Sequence, residues 1–215
     1  RTADDVGEDI QRFRNMGIRH IVALRGDATE SGTSASDSSE PVCQYASDLV
    51  KLLKRHDDMS ISVAAYPEIH PDAAHAEADL EALQHKLELG SDRAITQFFY
   101  EPDVFLAFRD RAEAAGISQP IVPGILPIHN IEKVINFSER CGTHVPAGLI
   151  DEFRVWHHDE EATRELALAH GLAMCETLKQ NGVDHFHFYT LNQSTLAYEI
   201  AKAMVGERVG SAVAA

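Results

Sequence analysis

The sequence predicts an α/β fold, a (β/α)₈ TIM barrel of which about five of the eight strand–helix units are present. Short apolar runs rich in β-branched or aromatic residues alternate along the chain with longer segments of helical apolar periodicity. Strict alternation of this kind produces parallel strands that are joined by right-handed helical crossovers. These two observations carry the prediction.

Five short segments have the composition of strands that are buried on both faces. They are residues 20–25, 60–66, 93–99, 121–126 and 185–190. The predicted helices lie at residues 43–56, 73–89, 102–115, 130–141, 160–181 and 193–204. Ile10, Phe13 and Met16 indicate one further amphipathic helix, which ends near Gly17.

Glycine and proline mark the element boundaries. Gly90, Gly116, Gly142 and Gly182 follow predicted helices at the position where a left-handed residue commonly ends a helix. Pro146 suits the first turn of a helix and would interrupt a central strand. We therefore interpret residues 144–149 as the entry into a helical turn rather than as a sixth strand.

Two architectures accommodate this alternation, a closed (β/α)₈ barrel and an open doubly wound sheet. An open nucleotide-binding sheet carries a G-x-G-x-x-G motif after its first strand, and the sequence has no such motif. This favours the barrel, with three strands missing from the sequence. We expect residues 1–215 to form a single domain.

Composition excludes several classes of partner. The formal net charge is −15 at pH 7, which opposes binding to nucleic acid or to an anionic membrane surface. No apolar run approaches the length of a membrane span. The three cysteines are far apart and form no C-x-x-C pair, as expected of free thiols in a reducing compartment. The sequence thus predicts a cytoplasmic protein with no nucleic acid or membrane partner.

Polar and aromatic residues gather where the predicted strands end, which is the catalytic face of a parallel barrel. These strand ends are residues 25–27, 66–71, 97–100, 124–127 and 189–192. The low-complexity polar loop 28–41 follows the first strand and would lie on the same face, either as a mobile lid or as a surface insertion without a role. Together the strand ends predict a binding site.

Several mechanisms are disfavoured. A Schiff-base enzyme of this fold needs a lysine on a strand, whereas all six lysines fall on predicted helices. The close histidine pairs do not converge with carboxylates at strand ends, so we expect no metal site. No serine or cysteine stands in a nucleophile elbow.

At the strand ends the sequence resembles bacterial methylenetetrahydrofolate reductases. The segments that carry the resemblance are Ala23-Leu-Arg-Gly-Asp27, Ala64-Ala-Tyr-Pro-Glu-Ile-His-Pro71, Ile95-Thr-Gln-Phe-Phe99, Pro123-Gly-Ile-Leu-Pro127 and Phe186-His-Phe-Tyr-Thr-Leu-Asn192. Their order and spacing match as well. The resemblance implies the C-terminal two-thirds of a (β/α)₈ flavoprotein barrel.

That family is a group of oxidoreductases in one-carbon metabolism and methionine biosynthesis. The resemblance implies non-covalent FAD, 5,10-methylenetetrahydrofolate as substrate, 5-methyltetrahydrofolate as product, and NADH or NADPH as reductant. A homo-oligomer is expected. The choice between the two nucleotides is left open.

The resemblance also implies roles for individual residues. Those expected to bind the cofactor are Arg25, Gly26, Asp27, Tyr45, Ala46, Tyr66, His70, Asp79 and Lys86. Those expected to bind the substrate are Asp27, Gln97, Lys133, Phe137 and Gln193. Asp27 is the expected catalytic residue and acts through its charge.

The sequence departs from the family pattern at several positions. Lys133 stands where the family often has glutamine, and Gln193 stands where it has arginine. The family's general-acid glutamate belongs to strands expected before residue 1, so we expect residues 1–215 alone to be inactive. The alternative function is a catalytically inactive barrel fragment that serves as a binding or assembly module.

Overall fold

The structure is a computed structural model, and it describes residues 3–24, 43, 45–71 and 73–212. The strands are β1 (His20–Ala23), β2 (Ser60–Ala65), β3 (Arg93–Phe98), β4 (Ile121–Ile125) and β5 (His187–Phe188). The helices are α1 (Ala3–Asn15), α2 (Ala46–Leu53), α3 (Ala76–Glu88), α4 (Pro102–Ala114), α5 (Ile131–Cys141), α6 (Ala147–Val155), α7 (Glu160–Gln180) and α8 (Thr195–Ala212).

The five strands belong to one sheet and neighbour one another in chain order. β1 runs parallel to β2, with His20 opposite Ser60, and β4 runs parallel to β5, with Gly124 opposite His187. Chain-order neighbours, parallel pairing and an alternating helix are the features of a (β/α)₈ barrel. The predicted fold class, with about five strand–helix units, is therefore confirmed.

The strands differ from the prediction in their burial. Alternate positions of β2 and β3 are buried, and the positions between them are only half-buried. The sequence predicted strands buried on both faces. Packing within the described residues buries one face of β2 and β3 completely and the other face only in part. These strands are therefore less buried than predicted.

The predicted helix boundaries are largely confirmed. Gly90, Gly116, Gly142 and Gly182 all have positive φ, at 108°, 88°, 68° and 85°. Pro146 precedes α6, so the helical turn predicted there is a full helix of nine residues. β5 is shorter than predicted, because it pairs with β4 at two positions, Gly124 and Ile125. The turn that follows it has positive φ at Leu191 and Asn192.

The described residues form two compact units, and the first takes in the described parts of 1–65, 80–94 and 117–120. Its core consists of the buried side chains Ala23, Val50, Leu53, Ile61, Val63, Leu83 and Leu87. Asp92 joins the start of β3 to β2, because its carboxylate accepts a hydrogen bond from the Ile61 amide at 2.6 Å and its own amide donates to the Ile61 carbonyl at 2.8 Å.

The second unit takes in the described parts of 66–79, 95–116 and 121–215. Its core is aromatic where β3 ends: Phe99 and Phe105 stack at 5.5 Å, and the Phe98 and Tyr100 rings meet edge to face at 5.8 Å. Aliphatic side chains from α5, α7 and α8 complete this core. The expectation that residues 1–215 form a single domain stays a prediction.

Candidate functional site

Apart from Gln97 near the end of β3, the predicted site residues that the structure describes follow the strands or lie on the helices after them. Arg25, Gly26 and Asp27, together with loop 28–41, lie outside the described residues. Their assignment stays a prediction. The other predicted site residues can be located.

Tyr45 and Ala46 lie at the start of α2. Tyr45 has extended backbone, with φ −127° and ψ 158°, and its amide donates to the Asp48 carboxylate at 3.1 Å. The Tyr45 side chain is 60% exposed. The helix therefore begins with a ring whose face is open to a ligand.

Lys86 of α3 reaches back to β2, in the first unit. Its Nζ donates a hydrogen bond to the Ala64 carbonyl at 2.7 Å, which brings an ammonium group to the carboxyl end of that strand. The buried Ser91 hydroxyl donates to the Lys86 carbonyl at 2.9 Å and holds this end of the helix. A cation fixed in this way can attract an anionic group such as a phosphate.

Tyr66, His70 and Asp79 are brought together in the second unit. The Tyr66 and His70 rings meet edge to face, with centroids 4.4 Å apart. The His70 amide donates to the Asp79 carboxylate at 3.0 Å. This carboxylate thus fixes the loop that carries both rings.

Gln97 lies at a half-buried position near the end of β3. Its side-chain oxygen accepts a hydrogen bond from the neighbouring Phe98 amide at 3.1 Å. An amide side chain offers two donors and an acceptor with two lone pairs. Gln97 therefore retains capacity to bind a polar ligand edge.

A cavity of about 280 Å³ brings three of the predicted substrate residues together. Its described lining consists of Leu126, Pro127, His129, Asn130, Lys133, Val134, Phe137, Thr190, Leu191 and Gln193. Gln97 is not among these residues. The Phe137 ring at this cavity stacks on Phe98, with centroids 5.4 Å apart and planes 13° apart.

The charge of this cavity differs from that of the chain. Its described lining includes Lys133 and His129 and no carboxylate, although the chain carries a net charge of −15. Among the described residues, the exposed Lys133 ammonium forms no ion pair. The cavity therefore suits a ligand that joins a flat ring to an anionic group.

Sequence reasoning missed two polar residues of this cavity. Asn130 caps α5, and its side-chain oxygen accepts from the Lys133 amide at 3.0 Å. Its place before an apolar periodic segment was a signal that could have identified it. His129 lies with Nε2 3.1 Å from the Gln193 carbonyl oxygen, a contact across 64 residues that no local pattern indicates.

A larger cavity of about 450 Å³ lies on the other side of His129 and Asn130, which line both. None of the predicted site residues lines it. Two of its charged residues, Glu132 and Arg164, pair with Arg154 and Glu199, and its lining also includes the carboxylate of Glu160. Carboxylates in the lining oppose an anionic ligand, so the smaller cavity is the better candidate for one.

Two features are absent from the described residues. No helix in that part of the chain is both long enough and apolar enough to span a bilayer. Across the same residues, no three histidine, cysteine, aspartate or glutamate side chains gather in a way that would hold a metal ion.

Comparisons with known proteins agree on one family. A family model described as methylenetetrahydrofolate reductase matches residues 1–205. The 5,10-methylenetetrahydrofolate reductase of Pectobacterium carotovorum subsp. carotovorum is 42% identical over 201 residues, which are 94% of this chain and 65% of that protein. The enzyme of the same name from Escherichia coli K12 is 42% identical over 209 residues, which are 97% of this chain and 68% of that protein.

The chain thus spans about two thirds of the length of these relatives. Among solved structures, one is described as an uncharacterized protein from Clostridium thermocellum that binds two copies of 5-methyl-5,6,7,8-tetrahydrofolic acid. It aligns with a TM-score of 0.52 and 16% identity, covering 77% of this chain and 60% of that one. This likeness supports the fold.

Proposed function

The chain belongs to the methylenetetrahydrofolate reductase family, and we propose that it provides the C-terminal two-thirds of the catalytic barrel of such a reductase. The proposed reaction is the FAD-dependent reduction of 5,10-methylenetetrahydrofolate to 5-methyltetrahydrofolate by NADH or NADPH. A cytoplasmic location and a homo-oligomeric assembly belong to the same proposal. The free state of Cys43, Cys141 and Cys175 supports the location.

One observation carries the proposal: Lys133, Phe137 and Gln193 line a single cavity whose described lining has no carboxylate. A folate joins a flat pterin and a benzoyl ring to a glutamate tail. Phe137 offers a stacking face, and Lys133 offers a charge to the tail. The folate ligand of the Clostridium thermocellum protein, which shares the fold, is in keeping with this interpretation.

The residues assigned to FAD fit its chemical parts. Lys86 offers a fixed ammonium to a diphosphate. The exposed Tyr45 ring offers a stacking face, and the second oxygen of the Asp79 carboxylate can accept a hydrogen bond from a ribose hydroxyl. When bound, FAD supplies the hydride-transfer chemistry, and the protein supplies binding, orientation and charge.

The chain's own residues contribute to the remaining steps, while the proton for the folate N10 comes from the general-acid glutamate that we expect outside residues 1–215. The substrate's five-membered ring must open to an iminium cation before it is reduced, and we assign to the Asp27 carboxylate the stabilisation of that cation by charge. The Gln97 amide pairs with a donor and an acceptor on the pterin edge. Phe137 holds the aromatic part of the substrate in place.

Spectroscopy of the full-length gene product tests the proposal. We expect the purified protein to be yellow, or to take up added FAD, and to oxidise NADH or NADPH with methylenetetrahydrofolate as acceptor. A colourless protein that neither binds added FAD nor turns over would contradict the reductase. It would favour the alternative, an inactive barrel that serves as a binding or assembly module.

A further inference from the structure

The loop 66–71, which we call the β2 loop, contacts the residues that follow helix α5 in the second unit. It carries Tyr66 and His70, which we assign to the flavin. Helix α5 carries Lys133 and Phe137, which we assign to the substrate. The C-terminal end of α5 packs directly against the β2 loop.

Glu68 makes the polar contact between these regions. Its carboxylate accepts a hydrogen bond from the His144 amide at 2.8 Å, a contact across 76 residues. Burial raises the pKa of the Glu68 carboxyl; the His144 hydrogen bond and the nearby His144 side chain oppose this effect, and Glu101 adds to it. Burial of a charged group costs free energy unless the group is hydrogen-bonded, so the hydrogen bond from His144 offsets the cost of burying Glu68.

The neighbouring residues make the same junction tight. Gly142 ends α5 with φ 68°, and a Cβ at this position would lie 3.1 Å from Pro71 Cγ and 3.2 Å from the Ile69 carbonyl oxygen. Arg111 of α4 donates to the Pro67 carbonyl at 3.1 Å. The β2 loop is therefore held by contacts from α4 and from the residues after α5.

The junction continues to the substrate side through Thr143. Its buried hydroxyl donates to the Phe98 carbonyl at 3.1 Å. Phe98 in turn carries the Phe137 ring on its face. A series of direct contacts thus runs from Glu68, through residues 143 and 144, to Phe137, whose ring we assign to the substrate.

We propose that Glu68 is a positioning residue, which fixes the β2 loop to the end of α5 and so sets the flavin-binding residues against the substrate-binding helix. This inference rests on the proposed function for its catalytic consequence, although the contact itself does not. A carboxylate suits the role because it forms a stronger hydrogen bond to a backbone amide than a neutral acceptor does. Misplacement of reacting groups by about 1 Å can slow a reaction about 100-fold.

The test compares Glu68→Ala with Glu68→Gln in the full-length protein. Glutamine keeps an oxygen that accepts from the His144 amide, whereas alanine removes it. Glu101→Ala is the matched control, because Glu101 is an exposed carboxylate near Glu68, whereas the His144 amide donates to Glu68. FAD content, the NAD(P)H half-reaction and the folate half-reaction are measured separately for each protein.

We expect Glu68→Ala to retain FAD and the NAD(P)H half-reaction but to slow the folate half-reaction by about 10- to 100-fold. Glu68→Gln should recover most of the rate, and Glu101→Ala should match the natural protein. An unchanged folate half-reaction in Glu68→Ala overturns the inference. So does a glutamine variant as impaired as the alanine variant.

Hydrogen exchange at the His144 amide tests the contact without reference to activity. Exchange should accelerate in Glu68→Ala and stay slow in Glu68→Gln. Equal exchange in all proteins overturns the inference, whether or not the protein is a reductase. A natural protein without FAD or turnover, but with the expected exchange pattern, counts against the proposed function and leaves the Glu68 junction supported.

Discussion

At the scale of single residues, Gly124 shows how closely the second unit is packed. A Cβ at this position would lie 2.2 Å from the Thr96 carbonyl oxygen and 2.5 Å from a Tyr189 ring carbon. The Tyr189 hydroxyl also donates to that same Thr96 carbonyl at 2.9 Å. The glycine is required here by lack of space rather than by its backbone angles.

Gly124→Ala should therefore destabilise the protein by about 3 kcal/mol, the upper range for overpacking a core. The obstructing atoms include backbone, so the strain cannot be relieved by rotation of a side chain. Gly148→Ala is the control, because nothing lies within 4 Å of a Cβ at that helical position. Chemical denaturation measures both variants, and equal stabilities would show that β4 can shift away from β3.

His170 of α7 makes stability depend on pH. Its ring is 6.4 Å from the Tyr100 ring, and burial lowers the pKa of His170, while Glu152 partly opposes that effect. The unfolded chain then binds the proton more tightly than the folded one. The contribution of His170 to the free energy of unfolding is fully present above the ordinary histidine pKa of about 6.5. It is lost as pH falls through the pKa of His170 in the folded protein.

His170→Gln should reduce the loss of unfolding free energy between neutral and mildly acidic pH. Some loss should remain, since burial also lowers the pKa of His187. His85→Gln, at an exposed position of α3, is the control. Denaturation curves at several pH values give the free energy of unfolding of each protein. If it depends on pH in the same way in His170→Gln and in the natural protein, His170 does not have this role.

Asp27 is the residue on which the proposed catalysis depends most. Asp27→Asn keeps the shape of the side chain and removes its charge, so folate reduction should slow by about 10- to 1000-fold. Reduction by NAD(P)H should be nearly unaffected, and the flavin reduction potential should rise. If stability falls while folate turnover and potential do not change, Asp27 has a structural role instead.

At the scale of secondary-structure elements, α5 concentrates the proposed substrate contacts. Its first turn is capped by Asn130 and presents Lys133 to the cavity. Its middle presents Phe137, and its last residues meet the β2 loop. One helix thus connects the charged, aromatic and positioning parts of the site.

Lys133→Gln should raise KM for methylenetetrahydrofolate by about fivefold, which corresponds to a charge interaction of about 1 kcal/mol in water. The difference from the natural protein should shrink as salt concentration rises, because salt screens exposed charges. Lys202→Gln on α8 removes a lysine that does not line the cavity and serves as the control. If Lys133→Gln and Lys202→Gln have the same KM, the glutamate tail of the folate binds elsewhere.

At the scale of the whole molecule, the chain is shorter than the reductases to which it is related. The chain spans 65% and 68% of the two bacterial reductases described above. β1 and β5 stand at the two ends of the described strand order. Unpaired edges of a sheet invite association with other chains.

Residues 1–215 expressed alone should therefore be inactive as a reductase and should aggregate, whereas the full-length gene product should be active and form a homo-oligomer of defined size. Size-exclusion chromatography, thermal unfolding and turnover assays compare the two proteins. A monomeric 215-residue protein that unfolds cooperatively and reduces methylenetetrahydrofolate would contradict this expectation.

The sequence by itself determined the elements and their order. Strand and helix periods, and the glycines that end α3, α4, α5 and α7, depend on residues that are close in the chain, so local patterns predict them. The length of β5 was predicted less well, because it depends on where β4, which is distant in the chain, offers paired positions, and these are Gly124 and Ile125. The family motifs also indicated most of the proposed site.

Only the tertiary structure decided which distant residues meet. His129 contacts the Gln193 carbonyl, and Glu68 accepts from the His144 amide, across 64 and 76 residues. No local preference of these residues selects the partner. Their distance is set by how parallel strands and helical crossovers bring separate strand ends together, which depends on packing throughout the unit rather than on neighbouring residues.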